Sequence, residues 1–251
     1  MKIKYLILLS ILSSFVSQAA NTTKINAKKL SDDPTRVVTE LGITYSDNYD
    51  TNSSSWSLTG SIAFDPVKKI NVRVNDDGSE WRVGGSWLFD LGIVNFNFGK
   101  NEFDNQNTQT NYSVGTFIPL SYFGFEPLGI QIFPTIGYNY NDGEEVCDVK
   151  SAAGKCHDKE PTFDEHFMMV SSTNQSGYVG AFALKPLTQK FTLMMATGAA
   201  KGTNDYDAWW LFGGVSYKIA EKQTLSTFTY MIDNNFGQEE RFGITYKYTF
   251  N

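Results

Sequence analysis

Glu240–Phe250 reads E-R-F-G-I-T-Y-K-Y-T-F, and its alternation decides the fold. Phe242, Ile244, Tyr246, Tyr248 and Phe250 fall on one face, while Arg241, Gly243, Thr245, Lys247 and Thr249 fall on the other. Successive side chains of a strand point to opposite sides, so the two sets meet different surroundings. An aromatic face backed by a charged and polar one suits a wall with lipid on one side and water on the other.

Working outward, the same period recurs along the chain. Trp56, Leu58, Gly60, Ile62 and Phe64 oppose Ser57, Thr59, Ser61 and Ala63. Trp81, Val83, Gly85, Trp87 and Phe89 oppose Glu80, Arg82, Gly84, Ser86 and Leu88. About twelve strands are predicted, near 35–46, 54–64, 69–76, 79–89, 92–100, 108–118, 128–140, 174–185, 189–200, 208–218, 222–232 and 238–250. The sixth and eighth alternate poorly. From a periplasmic amino terminus, one set of connections is Asp65–Lys68, Asp90–Leu91, Pro119–Leu128, Pro186–Gln189 and Ala220–Glu221, mostly short. The other set is Asp47–Ser53, Asp77–Gly78, Asn101–Thr108, Asn141–Thr173, Gly202–Asp207 and Asp233–Gly237, generally longer and rich in Asp, Asn and Gly. That asymmetry is expected of short periplasmic turns and longer extracellular loops.

The segment Arg241-Phe242-Gly243-Ile244-Thr245-Tyr246-Lys247-Tyr248 resembles the assembly signal that ends Gram-negative outer-membrane β-barrels. Arg241, Gly243, Tyr246, Tyr248 and Phe250 occupy its positions. The departure is Asn251 after Phe250, where such proteins commonly end on an aromatic residue. The resemblance implies an all-β, transmembrane, antiparallel up-and-down barrel, with outer-membrane lipid, lipopolysaccharide and the barrel assembly machinery as partners. A soluble β-sandwich also alternates apolar and polar residues. The loop asymmetry, the ending, and aromatic residues near both strand ends weigh for the barrel.

The opposite end agrees. Lys2 and Lys4 precede an apolar run from Tyr5 to Leu12, and small residues follow through Ser17-Gln18-Ala19. This reads as a secretory signal peptide over 1–19, cleaved after Ala19. The expected organisation is then a periplasmic amino-terminal segment over 20–34 and a transmembrane barrel over 35–251. Within it, 141–173 forms the long extracellular loop. Without Lys2 and Lys4 the chain has 19 basic against 27 acidic residues, a net charge of −8, which argues against nucleic acid as a partner. Cys147 and Cys156 share one polar segment of an exported chain, which predicts a disulfide. With His157 and His166 they match no standard zinc spacing. No metal or other cofactor is expected.

The inward face reads as small and uncharged: Gly42, Thr44, Ser46, Ser57, Thr59, Ser61, Ala63, Gly84, Ser86, Asn95 and Asn97. About twelve strands enclose more room than the ~8-strand barrels that side chains fill. Charges stand out against this lining. Asp77-Gly78 invites a tight hairpin, whose register sets Arg73 opposite Arg82, with Glu80 near Asn75 as neutraliser. A salt-bridge network in the wall and contact with a passing anion both fit that pair. Glu40 and Lys247 are placed to meet where the first and last strands close the barrel, and Lys69, Lys218 and Arg241 add positive charge. A hydrolase would need an imidazole near its nucleophile, yet both histidines lie in the long loop, so no enzyme is expected. In size and strand count the chain is similar to small monomeric channels, such as the oligogalacturonate-specific and nucleoside-specific porins. That likeness implies diffusion of small hydrophilic solutes, anions among them, across the outer membrane. The alternative is a non-conducting surface barrel whose loops mediate adhesion or lipopolysaccharide contact.

Overall fold

A computed structural model describes residues 29–51, 53–103, 107–148 and 167–250. The predicted signal peptide over 1–19, Cys156, both histidines and Asn251 lie outside the described residues. The strands are β1 (Glu40–Asn48), β2 (Ser53–Asp65), β3 (Lys68–Asn75), β4 (Glu80–Phe89), β5 (Gly92–Glu102), β6 (Thr108–Phe117) and β7 (Gln131–Asp148). They continue as β8 (Phe167–Ser171), β9 (Asn174–Pro186), β10 (Phe191–Gly202), β11 (Asp207–Ala220), β12 (Gln223–Asn234) and β13 (Gly237–Thr249).

All pairings are antiparallel. The ring runs β1 through β7, then β9 through β13, and the β1–β13 ladder closes it. This is a closed up-and-down barrel of twelve strands, with β8 an extra strand that, among the described residues, pairs with the far end of β7 alone. Closure satisfies the backbone of every wall strand without leaving an edge, as a strand in lipid requires. The outward faces carry exposed apolar side chains around the whole ring, among them Leu41, Trp56, Val72, Trp87, Phe96, Ile136, Val179, Leu211 and Ile244. A band of this kind is stable only against an apolar medium.

Two elements differ from expectation. The first strand starts at Glu40 rather than near 35, because Thr35 and Val37 are each 0% exposed and packed inside the short-turn end of the barrel. The seventh strand does not stop near 140. It continues to Asp148 and turns back as β8, so the predicted loop 141–173 begins and ends as a hairpin. A tilted strand needs only ~9–11 residues to cross the hydrocarbon. The rest of β7 therefore projects beyond it, where Asn141, Asp142, Glu144 and Glu145 put polar residues on both faces and the alternation that marks a strand is lost.

The eighth predicted strand, β9, alternates weakly for a physical reason. Its inward residues include Tyr178, Phe182 and Leu184, while Val179, Ala181 and Ala183 face outward. Both faces are apolar, so no period of two stands out. The connection after β6 folds into two 3-10 turns, Leu120–Phe123 and Pro127–Gly129. It leaves Tyr122, Phe123, Phe125 and Leu128 exposed.

Candidate functional site in the barrel lumen

The interior has two unlike halves. Across β9–β12, Tyr178, Phe182, Trp210, Phe212, Phe228 and Tyr230 point inward. Phe182–Phe212 and Phe212–Phe228 are packed with ring centroids 6.3 and 5.9 Å apart, and Tyr178–Trp210 lie 6.1 Å apart. Three of these rings have glycine as cross-strand partner: Tyr178 with Gly137, Trp210 with Gly198, Phe228 with Gly243. A Cβ at any of those glycines would overlap the ring. The aromatic residues thus lie against the wall. Sequence reading placed small polar residues and a few charges inside and missed this half. The usable signal was glycine opposite aromatic in adjacent strands.

The other half, β13 and β1–β6, carries the predicted small polar lining. Hydrogen bonds join neighbouring strands there: Thr44 with Thr245 at 2.8 Å, Asn71 Nδ2 to Ser86 Oγ at 2.9 Å, and Ser86 Oγ to Asn95 Oδ1 at 2.7 Å. A cavity of about 180 Å³ opens on this wall, lined among others by Glu40, Thr59, Asn71, Arg73, Arg82 and Lys247.

The Asp77-Gly78 turn produces the expected register, with Val72 opposite Val83, Arg73 opposite Arg82 and Val74 opposite Trp81. Gly78 takes φ +79° at the tip, where an L side chain is disfavoured. Glu80 comes within 3.9 Å of Arg73, too far for a hydrogen bond. The Nε of Arg73 is buried and has no hydrogen-bond partner among the described residues. Arg73 thus has one distant carboxylate for a counter-charge, with the Arg82 guanidinium opposite it in the register.

The other candidate charges separate. Lys247 does not pair with Glu40: its ammonium donates to Asp32 at 2.6 Å. The register explains the correction, since Lys247 pairs with Gly42 while Glu40 lies opposite Thr249, and Asp32 enters from the amino-terminal segment. Burial raises the Asp32 carboxyl, but Lys247 attraction and hydrogen bonds from Lys247, Ser216 and Ser31 hold it below the usual range. Arg241 pairs with Glu239 nearer the long-loop end. Lys218 is exposed at the short-turn rim and is absent from the cavity lining.

Both mouths are partly occupied. At the long-loop end the β7–β8 hairpin leans across to the far side of the ring, where the Asp148 N–H donates to the Phe236 carbonyl at 2.8 Å. Cys147 is buried against Phe236 beside Met168, Val170 and Tyr206. Glu145 accepts from Gln109 Nε2 at 2.5 Å, and Gln109 also donates to Ser172 Oγ at 2.9 Å. Burial, with Glu239 nearby, pushes the Glu145 carboxyl up to about 7 against the pull of Gln109 and Arg241. Among the described residues no cluster of His, Cys, Asp and Glu suits a metal ion.

No protein-family profile matches the chain, and no curated protein matches it. Several solved structures share the fold. The NanC porin aligns with TM-score 0.52 at 12% identity, over 83% of this chain and 98% of its own. The KdgM porin in complex with disordered oligogalacturonate aligns at 0.50 and 9% identity, over 84% and 99%. The translocator domain of the autotransporter NalP from Neisseria meningitidis aligns at 0.50 and 10%, over 95% and 97%. At these identities the likeness is one of fold, that of outer-membrane β-barrels.

Proposed function

We propose that the protein is an outer-membrane channel for passive diffusion of small hydrophilic solutes, with a preference for anions. The observation that carries this reading is the opposed Arg73–Arg82 pair at the cavity, incompletely neutralised by Glu80. Like charges directly across two strands are destabilising unless compensated. Guanidinium groups match carboxylate and phosphate oxygens in geometry and charge. Low-dielectric walls strengthen their field on a permeating ion. Two of the barrels that share this fold are porins, which supports the class but not the solute.

Bilayer recordings under a potassium chloride gradient test it. The wild-type reversal potential should lie on the anion side, and Arg73→Ala/Arg82→Ala should move it towards cations. An unchanged potential would leave the pair as wall structure. A folded protein that never conducts would defeat the channel. The second reading, a non-conducting surface barrel working through its loops, is favoured by the hairpin across one mouth and the segment inside the other. Contacts of the acidic loops with lipopolysaccharide, and of the β13 ending with assembly machinery, belong to either reading.

A further inference from the structure

Residues 29–38 are not strand, yet none of them is exposed, and Thr35, Val37 and Val38 are buried. They form a compact knot. Lys29 Nζ donates to the Thr35 carbonyl and hydroxyl at 2.9 and 2.8 Å. Asp33 Oδ1 accepts from the Thr35 N–H at 2.7 Å and its hydroxyl at 2.6 Å. Arg36 Nη1 donates to the Ser31 carbonyl at 2.7 Å. A segment that bonds to itself this fully keeps its shape without a ladder.

Its anchors lie on different arcs of the ring. Leu30 packs against the cluster of Phe133, Leu184 and Met194, which face inward from β7, β9 and β10. Val37 packs against Ala63, Leu88 and Ile93, inward from β2, β4 and β5. Between these contacts Asp32 meets Lys247 of β13, and just past Val37 the Val38 carbonyl accepts from Ser61 Oγ at 2.7 Å. The segment therefore crosses the lumen at the short-turn end. The wall is built to receive it. A water-filled passage favours polar lining, whereas Ala63, Leu88, Ile93, Phe133, Leu184 and Met194 make that end of the interior apolar.

We infer that residues 29–38 are a resident stopper, seated in the short-turn mouth of the lumen and displaced when the channel conducts. This rests on the channel reading above. The seat combines two apolar contacts, at Leu30 and Val37, with one partly buried ion pair, in which Asp32 is enclosed and Lys247 keeps some exposure. Asp32→Asn removes the carboxylate that ties the segment to Lys247 of β13, and Leu30→Glu puts a charge into the apolar contact. Substitutions at Leu30 and Asp32 should therefore release the segment while leaving the strands intact.

The test reads the seat and the current separately, in the full chain carrying Cys147→Ser/Cys156→Ser. Val37→Cys reports the seat through maleimide labelling. Leu30→Glu/Asp32→Asn releases it, and a Gly/Ser replacement of residues 30–36 and 38 at equal length, keeping the cysteine at position 37, serves as a second release variant. Heat-dependent gel mobility checks that each barrel is folded. With release, labelling should accelerate by at least about tenfold, as for a locally opened segment, and unitary conductance should rise several-fold. Equal labelling rates before and after release would show that the segment is not seated, and would overturn the stopper. Faster labelling with unchanged conductance would overturn it too, while the channel stands. Faster labelling in folded barrels that never conduct would remove the channel, and the stopper with it.

Discussion

Tyr178 of β9 reaches across Gly137 of β7 to Gly115 of β6, and a Cβ at either glycine would overlap its ring. Gly137→Leu should displace the ring and cost about 1–3 kcal/mol, as overpacking does. The check is a lower denaturation midpoint with unchanged slope. Outward Gly213, where a Cβ would meet only the Thr229 methyl at 3.9 Å, serves as control. Gly213→Ala should stay within about 0.5 kcal/mol, and equal losses at both sites would refute the notch. Glu145 makes a different prediction at this scale. Its carboxyl is raised from 4.5 to about 7 in the closed hairpin, chiefly by burial, with Gln109, Glu239, Arg241 and Tyr206 around it. A raised acid favours the closed hairpin fully below its ordinary value, and the advantage is lost as pH rises through about 7. Hydrogen exchange across β8, corrected for intrinsic rates, should show more protection at pH 5 than at pH 9. Glu145→Gln should abolish the difference, and flat protection in the wild type would contradict the assignment.

At the scale of elements, the projecting end of β7 is held by β8 and by the β12–β13 turn, with Cys147 buried between them. We expect Cys147 to be bridged to Cys156, worth about 2–3 kcal/mol in the loop-entropy model. Counting thiols in denatured, unreduced protein should find none free, and two would reject the bridge. Cys147→Ser/Cys156→Ser should loosen the hairpin but spare the barrel, because each wall strand keeps both of its ladders. The seam is another element-scale feature. All nine residues of β1 pair with β13 without a bulge, and the Thr44–Thr245 hydrogen bond crosses the seam on the inside. A closed ladder of this kind needs no Glu40–Lys247 ion pair to set it.

For the whole molecule, closure is the source of stability. Every wall strand is paired on both sides, so unfolding cannot begin at an edge. The purified protein should run as a compact band in unheated detergent samples and shift on boiling. It should also resist extraction from membranes by carbonate or urea. Release into the soluble periplasm would rule out a membrane barrel. The unlike halves of the interior also act at this scale. Aromatic residues narrow one side, and the remaining space lies against the small polar wall that carries Arg73 and Arg82.

By itself the sequence determined the wall. A period of two is local, so Phe242 to Phe250 against Arg241 to Thr249 reveals an interface without any distant contact. The Asp77-Gly78 turn is local as well, and it carried the Arg73–Arg82 register with it. What stands inside the wall was decided only by tertiary structure. Inward Phe182 and Phe212 look in sequence like residues facing lipid, since both settings favour apolar side chains. Asp32 and Lys247 are 215 positions apart, and no pattern in either neighbourhood marks them as partners. They meet because the closed ring brings β13 beside β1 and leaves a lumen into which residues 29–38 fit.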